Sequence, residues 1–369
     1  MLSPEAWYYY YHMLEFGCMF RVFPYKFDVV TRRLLPASTT SVRIFRLHKT
    51  VVFTVFCFVT FRFLQNVRKS AEEFPLFTKV LNIILVFDCL LTVIIFAQLE
   101  ISMEQIMFTL NNILQKVEDF IEAGNENPNP NQDSKEQERD TDLESNNSNV
   151  PTKPKIADED PAFTKYISKH ILFAMVLLYS NLLPHAIVIV QTPCSPQYLS
   201  SLILPCNSHR DRLPYLYTLP FFAVEMYAIT VVLFLFAFAW SVIFLGFGWV
   251  LREMRALQKN GTKCNLDTIA RYIRSQRLAH AINSCMRLYL STYHSVMMII
   301  LALLLFGCVR LMYLDFRANI MFPVCWIRCG FESLSPMAVA GKVNSKSKSI
   351  LAKWEKGWKK KEDRVNAKS

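Results

Sequence analysis

An all-α, polytopic membrane helix bundle is the fold class this sequence predicts. Three observations carry the prediction. The 369 residues are 52% hydrophobic with 29 Phe and only 9 Gly, yet hold 41 Lys+Arg against 30 Asp+Glu. The apolar residues are segregated into runs near twenty residues, the length that crosses about 30 Å of hydrocarbon, separated by charged connectors. The connectors themselves alternate between basic and uncharged or acidic, and that alternation orients the bundle.

The elements follow in order. The start lacks a basic region followed by an apolar one, so no signal peptide is visible and the first span is expected to act as the insertion signal. The run Trp7, Tyr8, Tyr9, Tyr10, Tyr11 suits a membrane interface, or equally a packed or disordered N-terminal segment. Residues 50–64 form a short first span with Arg62 reaching toward the headgroups. Residues 77–98 form the second, with one charge, Asp88, near its middle. Beyond it Ile101, Ile106, Leu110, Leu114 and Val117 recur at helical spacing, so the second helix is expected to continue as an amphipathic extension. Residues 124–160, rich in Asn, Pro, Asp and Glu, are expected to be disordered. The third span covers 170–190 and includes Pro184 and His185. The fourth, 215–250, is too long for a perpendicular crossing and must tilt or project. The fifth covers 293–314 with Arg310 near its end, and a weaker sixth, 319–341, is interrupted by Arg328 and Glu332.

Scored for Lys and Arg, the segment before the first span, the loop after the fourth and the tail after the sixth are all basic. With six crossings they fall on one side, which the positive-inside rule makes cytoplasmic, N-terminus included. The expected units are a cytoplasmic N-terminal segment (1–49), the first two helices with their extension (50–120), an acidic loop (121–165), the remaining spans (166–341) and a basic amphipathic tail (342–369). The loop between the third and fourth spans carries Cys194 and Cys206, a candidate disulfide on an oxidising exterior.

No Gly-rich phosphate loop, HExxH or paired CxxC occurs, so neither an enzyme nor a cofactor is expected; Cys325 and Cys329 have no accompanying His cluster and read as packing residues, with no metal. Ionisable residues inside spans are costly and are the informative ones. Glu225 and Arg310 fall at similar outer depth, as a structural ion pair or as ligand contacts. His185 joins them as a packing or pocket residue, with Tyr179, Tyr215, Tyr217, Phe221, Phe222 and Tyr227 near the same level. Asp88 is either a protonated acid or part of a polar cavity. In the tail, Leu351, Trp354 and Trp358 share a helical face while Lys353, Lys356, Lys359, Lys360 and Lys361 occupy the rest, as for a helix on anionic lipid, a calmodulin target, or a packed juxtamembrane helix.

Six segments with a cytoplasmic N-terminus, Tyr- and Phe-rich spans and a Trp-containing basic helix near the end resemble the arthropod gustatory and odorant receptor superfamily. The resemblance is one of architecture and covers residues 50–364. It implies a plasma-membrane chemoreceptor that binds a small organic molecule and gates a cation pore as a homo- or heterotetramer. It also implies a seventh helix bearing Thr-Tyr, five apolar residues and Gln-Phe. Thr292-Tyr293 begins a similar string, but Ile299 and Ile300 stand where Gln and Phe belong, and the position is the fifth span. A C-terminally incomplete or divergent member is therefore expected. The competing classes are a G-protein-coupled receptor, disfavoured by the basic N-terminal side and the missing Asp-Arg-Tyr and Asn-Pro-x-x-Tyr motifs, and a secondary transporter, for which no inverted repeat is visible.

Overall fold

The computed structural model describes residues 4–70, 74–125, 161–204, 215–260, 265–311, 313 and 316–366. They are almost wholly helical. Helix α1 (Pro4–Met19) leads into a hairpin of β1 (Tyr25–Asp28) and β2 (Arg33–Pro36), then α2 (Thr39–Asn66), α3 (Leu76–Ile101) and α4 (Met103–Asn125). Next come α5 (Pro161–Ser180), α6 (Leu182–Gln191) and the single turn α7 (Ser200–Ile203). The long α8 (Tyr215–Asn260), α9 (Leu266–Cys285), α10 (Arg287–Arg310) and the longer α11 (Phe316–Asn366) complete the chain.

Among the described residues five stretches are long and apolar enough to cross a membrane: Thr39–Asn66, Leu76–Ile101, Phe163–Gln191, Tyr217–Lys259 and Arg287–Arg310. The chain is a multi-pass membrane protein. The stretch 319–341, expected as a sixth crossing, is not in this set; it contains the buried Arg328 and Glu332. Packing nevertheless lays that part of α11 beside α8 and in the same direction: Arg328 stacks over Phe236 at 5.5 Å, Trp240 donates to Ser335 at 3.0 Å, and Gln258 donates to Ser349 at 3.3 Å. Helix α10 runs the opposite way, because Gly307 meets Phe322 while Leu301 meets Gly330. A Cβ at Gly307 would lie 2.5 Å from the Phe322 ring, so only glycine lets α10 and α11 approach this closely.

Local chemistry explains the breaks. Ser38 caps α2, its hydroxyl accepting from the Ser41 N–H at 3.2 Å. Asn181 separates α5 from α6; it is fully buried, its side-chain amide donates to the Leu177 carbonyl at 2.7 Å, and Pro184 follows in the first turn of α6, where its missing N–H costs least. A capping box of Asn265 and Thr268 starts α9. Between α9 and α10, Gln98 of α3 supplies the missing partners: its amide donates to the Cys285 carbonyl at 2.7 Å and its oxygen accepts from the Leu288 N–H at 2.7 Å.

Basic residues gather at the end where α3 finishes and α10 begins. Arg46 and Lys49 both pair with Glu100, Arg271 pairs with Glu253 at 3.1 Å, Arg255 lies over Phe163 at 4.6 Å, and Lys342 lies over Tyr166 at 4.8 Å. Here α4 turns away at Ser102 with Ile106, Leu110 and Leu114 buried, as the periodicity predicts, whereas Ile101 is exposed. Val117 lies beyond the described side chains, and residues 126–160 lie outside the description altogether.

The N-terminal segment is a packed part of the bundle. Tyr10 is buried 3.5 Å from the Ser241 hydroxyl, Phe16 stacks on Phe234, and Phe23 packs against Phe238. The hairpin is tied on by Tyr25, which donates to the Met103 carbonyl at 3.1 Å, and by Asn111, which exchanges two hydrogen bonds with the Leu34 backbone. At its turn the Thr31 hydroxyl and the Val30 N–H donate to the Asp28 carboxylate and hold its pKa below the usual range.

Candidate functional site

The interior of the bundle holds a bidentate ion pair. Arg328 and Glu332 are separated by one turn of α11 and have side chains 9% exposed each. The Arg328 Nε donates to Glu332 Oε1 at 2.9 Å and a terminal guanidinium nitrogen donates to Oε2 at 3.3 Å. Arginine preceding the acid is the weaker order for a pair along a helix, so tertiary surroundings must hold it. Those surroundings are charged and aromatic. Asp88 of α3 lies within electrostatic reach of both partners, His185 of α6 within reach of Arg328, and Phe236 of α8 covers the guanidinium. Four helices therefore converge on one arginine. Two carboxylates against one guanidinium and one imidazole can hold charge inside the bundle, and any relative movement of α3, α6 or α11 changes their distances.

Glu332 also borders a cavity of about 260 Å³ between α8, α10 and α11. Its walls mix aromatic and aliphatic side chains: Trp240, Ile243 and Phe247 from α8, Leu290, Tyr293 and the imidazole of His294 from α10, with Pro336 and Met337 of α11 among the rest. The Tyr293 hydroxyl is buried beside the hydroxyls of Tyr289 and Ser333. A second, more open groove of about 580 Å³ lies between α4 and α9 at the basic end, lined by Phe108, Ile273, Arg277 and His280 among others.

The residues expected to form an outer ligand pocket are not assembled as expected. Glu225 and Arg310 form no ion pair. The Glu225 carboxylate accepts from the Leu199 N–H at 2.7 Å, capping the loop before α8, while Arg310 is exposed in the last turn of α10. Depth along a helix is readable from charge patterning, but the face a residue presents depends on which helices pack beside it. Tyr179 is 49% exposed and Tyr217 63% exposed. Phe222 packs partly buried against the core, and the Tyr227 hydroxyl bonds the His48 ring at 2.7 Å. The side chain of Tyr215 lies outside the described residues. His185 and Asp88 instead lie within electrostatic reach of Arg328, whose direct ion pair is with Glu332.

Cys194 is disulfide-bonded, and its expected partner Cys206 lies outside the described residues. Cys325 and Cys329 are free and buried. In the tail Trp354 packs edge-on against Tyr272 of α9 at 5.5 Å, while Leu351 on the same face is exposed. Trp358 is 65% exposed, Lys359 pairs with Glu355 at 2.9 Å, and the Lys360 side chain lies outside the description. Sequence reasoning treated Arg328 and Glu332 as interruptions, although their four-residue spacing was the signal for the pair. The Trp240, Phe244 and Phe247 run and the Tyr289, Tyr293 pair carried helical spacing as well, without a reason to prefer them over other aromatic positions. No protein-family model, curated protein or solved structure matches this chain.

Proposed function

We propose that this chain is a chemosensory-type receptor of the plasma membrane, with its N-terminus and basic end in the cytoplasm, that binds a small organic molecule within the helix bundle and gates a cation conductance as a homo- or heterotetramer. The observation that carries the reading is the convergence of Asp88, His185, Arg328 and Glu332 from three helices beside a largely apolar cavity. A ligand that repacks any of these helices shifts buried charges, and a shift between two packings is what a switch requires. The helices α8 and α11, which extend about 69 and about 76 Å, carry such a shift beyond a 30 Å hydrocarbon layer to the basic end. There the exposed Trp358 and neighbouring lysines suit anionic lipid or calmodulin.

The test is whole-cell recording from cells expressing the full chain, alone and with candidate partner subunits, during application of a chemically diverse panel of small molecules. Ligand-evoked, cation-selective current supports the reading. The buried charges also suit proton or ion coupling in a transporter, and substrate accumulation without conductance would install that reading instead. A response that depends on a G protein and carries no direct current would favour the third class.

A further inference from the structure

Helices α4 and α9 leave the apolar bundle at one level. The first follows α3 at Ser102 and the second meets α10 at Met286, and the Gln98 amide donates to the Ser102 hydroxyl at 2.8 Å while also bonding the backbone on both sides of Met286. Both then run along the extended end of α8, where Gly246 meets Ile282 of α9 and Ile113 of α4. The groove of about 580 Å³ opens between them. It begins at Gln105 and Ser284, close to Ile101 and Arg287 where two membrane-crossing stretches end, so by helical rise its mouth lies about 5 Å from the apolar layer.

The lining has two kinds of surface. Phe108 and Ile273 are 69% and 44% exposed, and with Ala281 they give the groove apolar walls. Arg277 is exposed and forms no ion pair among the described residues, and the imidazole of His280 lies one turn along the same helix. Among the described residues no carboxylate lines the groove; Glu104, next to Gln105 in sequence, is outside the lining. The surrounding field is positive as well, since Arg274 and Arg287 are exposed. A guest that is apolar along its body and anionic at its head covers the exposed rings and gains a charge-assisted bond from the guanidinium. A cation meets like charge there, and a neutral guest gains nothing from Arg277. At about 30 Å³ for each water-sized group the volume holds about nineteen non-hydrogen atoms, which is one long acyl chain with a compact head and well short of a two-chain phospholipid.

We infer that this groove binds a single-chain amphiphile with one negative charge, a fatty-acid carboxylate, whose head accepts from Arg277 and His280 and whose chain lies along Phe108, Ile273 and Ala281. This second site is separate from the Arg328 cluster and independent of the receptor reading.

The full chain in phosphatidylcholine nanodiscs is titrated with tritiated laurate at mildly alkaline pH and low salt, with empty nanodiscs subtracted for partitioning. One saturable site per chain is expected. Arg277→Gln should weaken laurate binding about tenfold, the loss of one charge-assisted bond, while displacement by dodecanol, which has the chain without the charge, is unchanged. High salt should weaken laurate binding to the wild-type chain and have little effect on the variant. Ala281→Trp, which fills the groove from α9, should abolish binding, and Ser284→Trp at the exposed rim should do so if the first variant does not yield monodisperse protein. Absence of saturable binding, binding that survives filling the groove, an unchanged affinity in Arg277→Gln, or tighter binding of dodecylammonium than of laurate would each overturn the inference. Displacement of laurate by soluble dihexanoylphosphatidylserine would make a phospholipid the occupant and overturn it as well.

Discussion

Replacing Glu332 by alanine removes both oxygens that hold the Arg328 guanidinium inside the bundle. The arginine is 7% exposed and cannot neutralise itself, so it must stay charged with poorer company or drag α11 toward water. Breaking a buried pair by removing one partner costs about 3–5 kcal/mol. Asp88 lies within electrostatic reach and takes up part of the lost role, which places the expected cost near the lower limit, about 3 kcal/mol. The double substitution Arg328→Met with Glu332→Leu removes both charges at roughly conserved volume and should cost only about 1 kcal/mol. With Glu332→Leu and Arg328→Met also made singly, unfolding of each variant in mixed micelles, followed by near-ultraviolet circular dichroism, closes the cycle. A coupling of at least about 2 kcal/mol is expected. A Glu332→Ala protein within about 0.5 kcal/mol of wild type, or a double variant equal to the sum of the singles, would refute the account of α11 as a helix held by a tertiary-supported ion pair.

Further expectations use the same assay unless stated. Glu225→Ala and Arg310→Ala should combine additively, within about 0.5 kcal/mol, since Glu225 serves the Leu199 N–H and Arg310 is exposed; strong coupling would restore the pair. Gly307→Val should cost about 1–3 kcal/mol by forcing α10 from Phe322, and trimming that ring with Phe322→Leu should recover part of it; a Gly307→Val protein of wild-type stability would show that the helices do not meet there. Trp354→Ala should cost about 3 kcal/mol through lost packing on Tyr272, whereas Trp358→Ala, at an exposed site, should stay within about 0.5 kcal/mol; equal effects would undo the docking of the tail on α9.

The membrane bundle was legible because its signal is collective. Twenty apolar residues in a run leave little choice of environment, and the runs expected at 77–98 and 215–250 lie within Leu76–Ile101 and Tyr215–Asn260. The boundaries were less legible where a helix leaves the apolar layer. Helix α2 starts at Thr39 and α11 continues to Asn366; Ser38 caps the first, and charged, good helix formers extend the second without any hydropathic mark. The hairpin escaped because strands of four residues carry almost no periodicity, and α9 because its many basic residues suggested a connector. At the site, Asp88 and His185 were recognised as costly, but their proximity to Arg328 depends on which helices pack together. Such contacts are set by which faces pack together, and one sequence does not encode those faces in any local pattern.

Orientation decides whether the basic end faces the cytoplasm, and glycosylation mapping measures it. Natural sequons stand at Asn146 and Asn260, both assigned to the cytoplasmic side, and a third engineered within 195–204 supplies the opposite reference. The account predicts glycan on the engineered site alone. Glycan on Asn146 or Asn260 with none on the engineered site would place the N-terminus outside and contradict it.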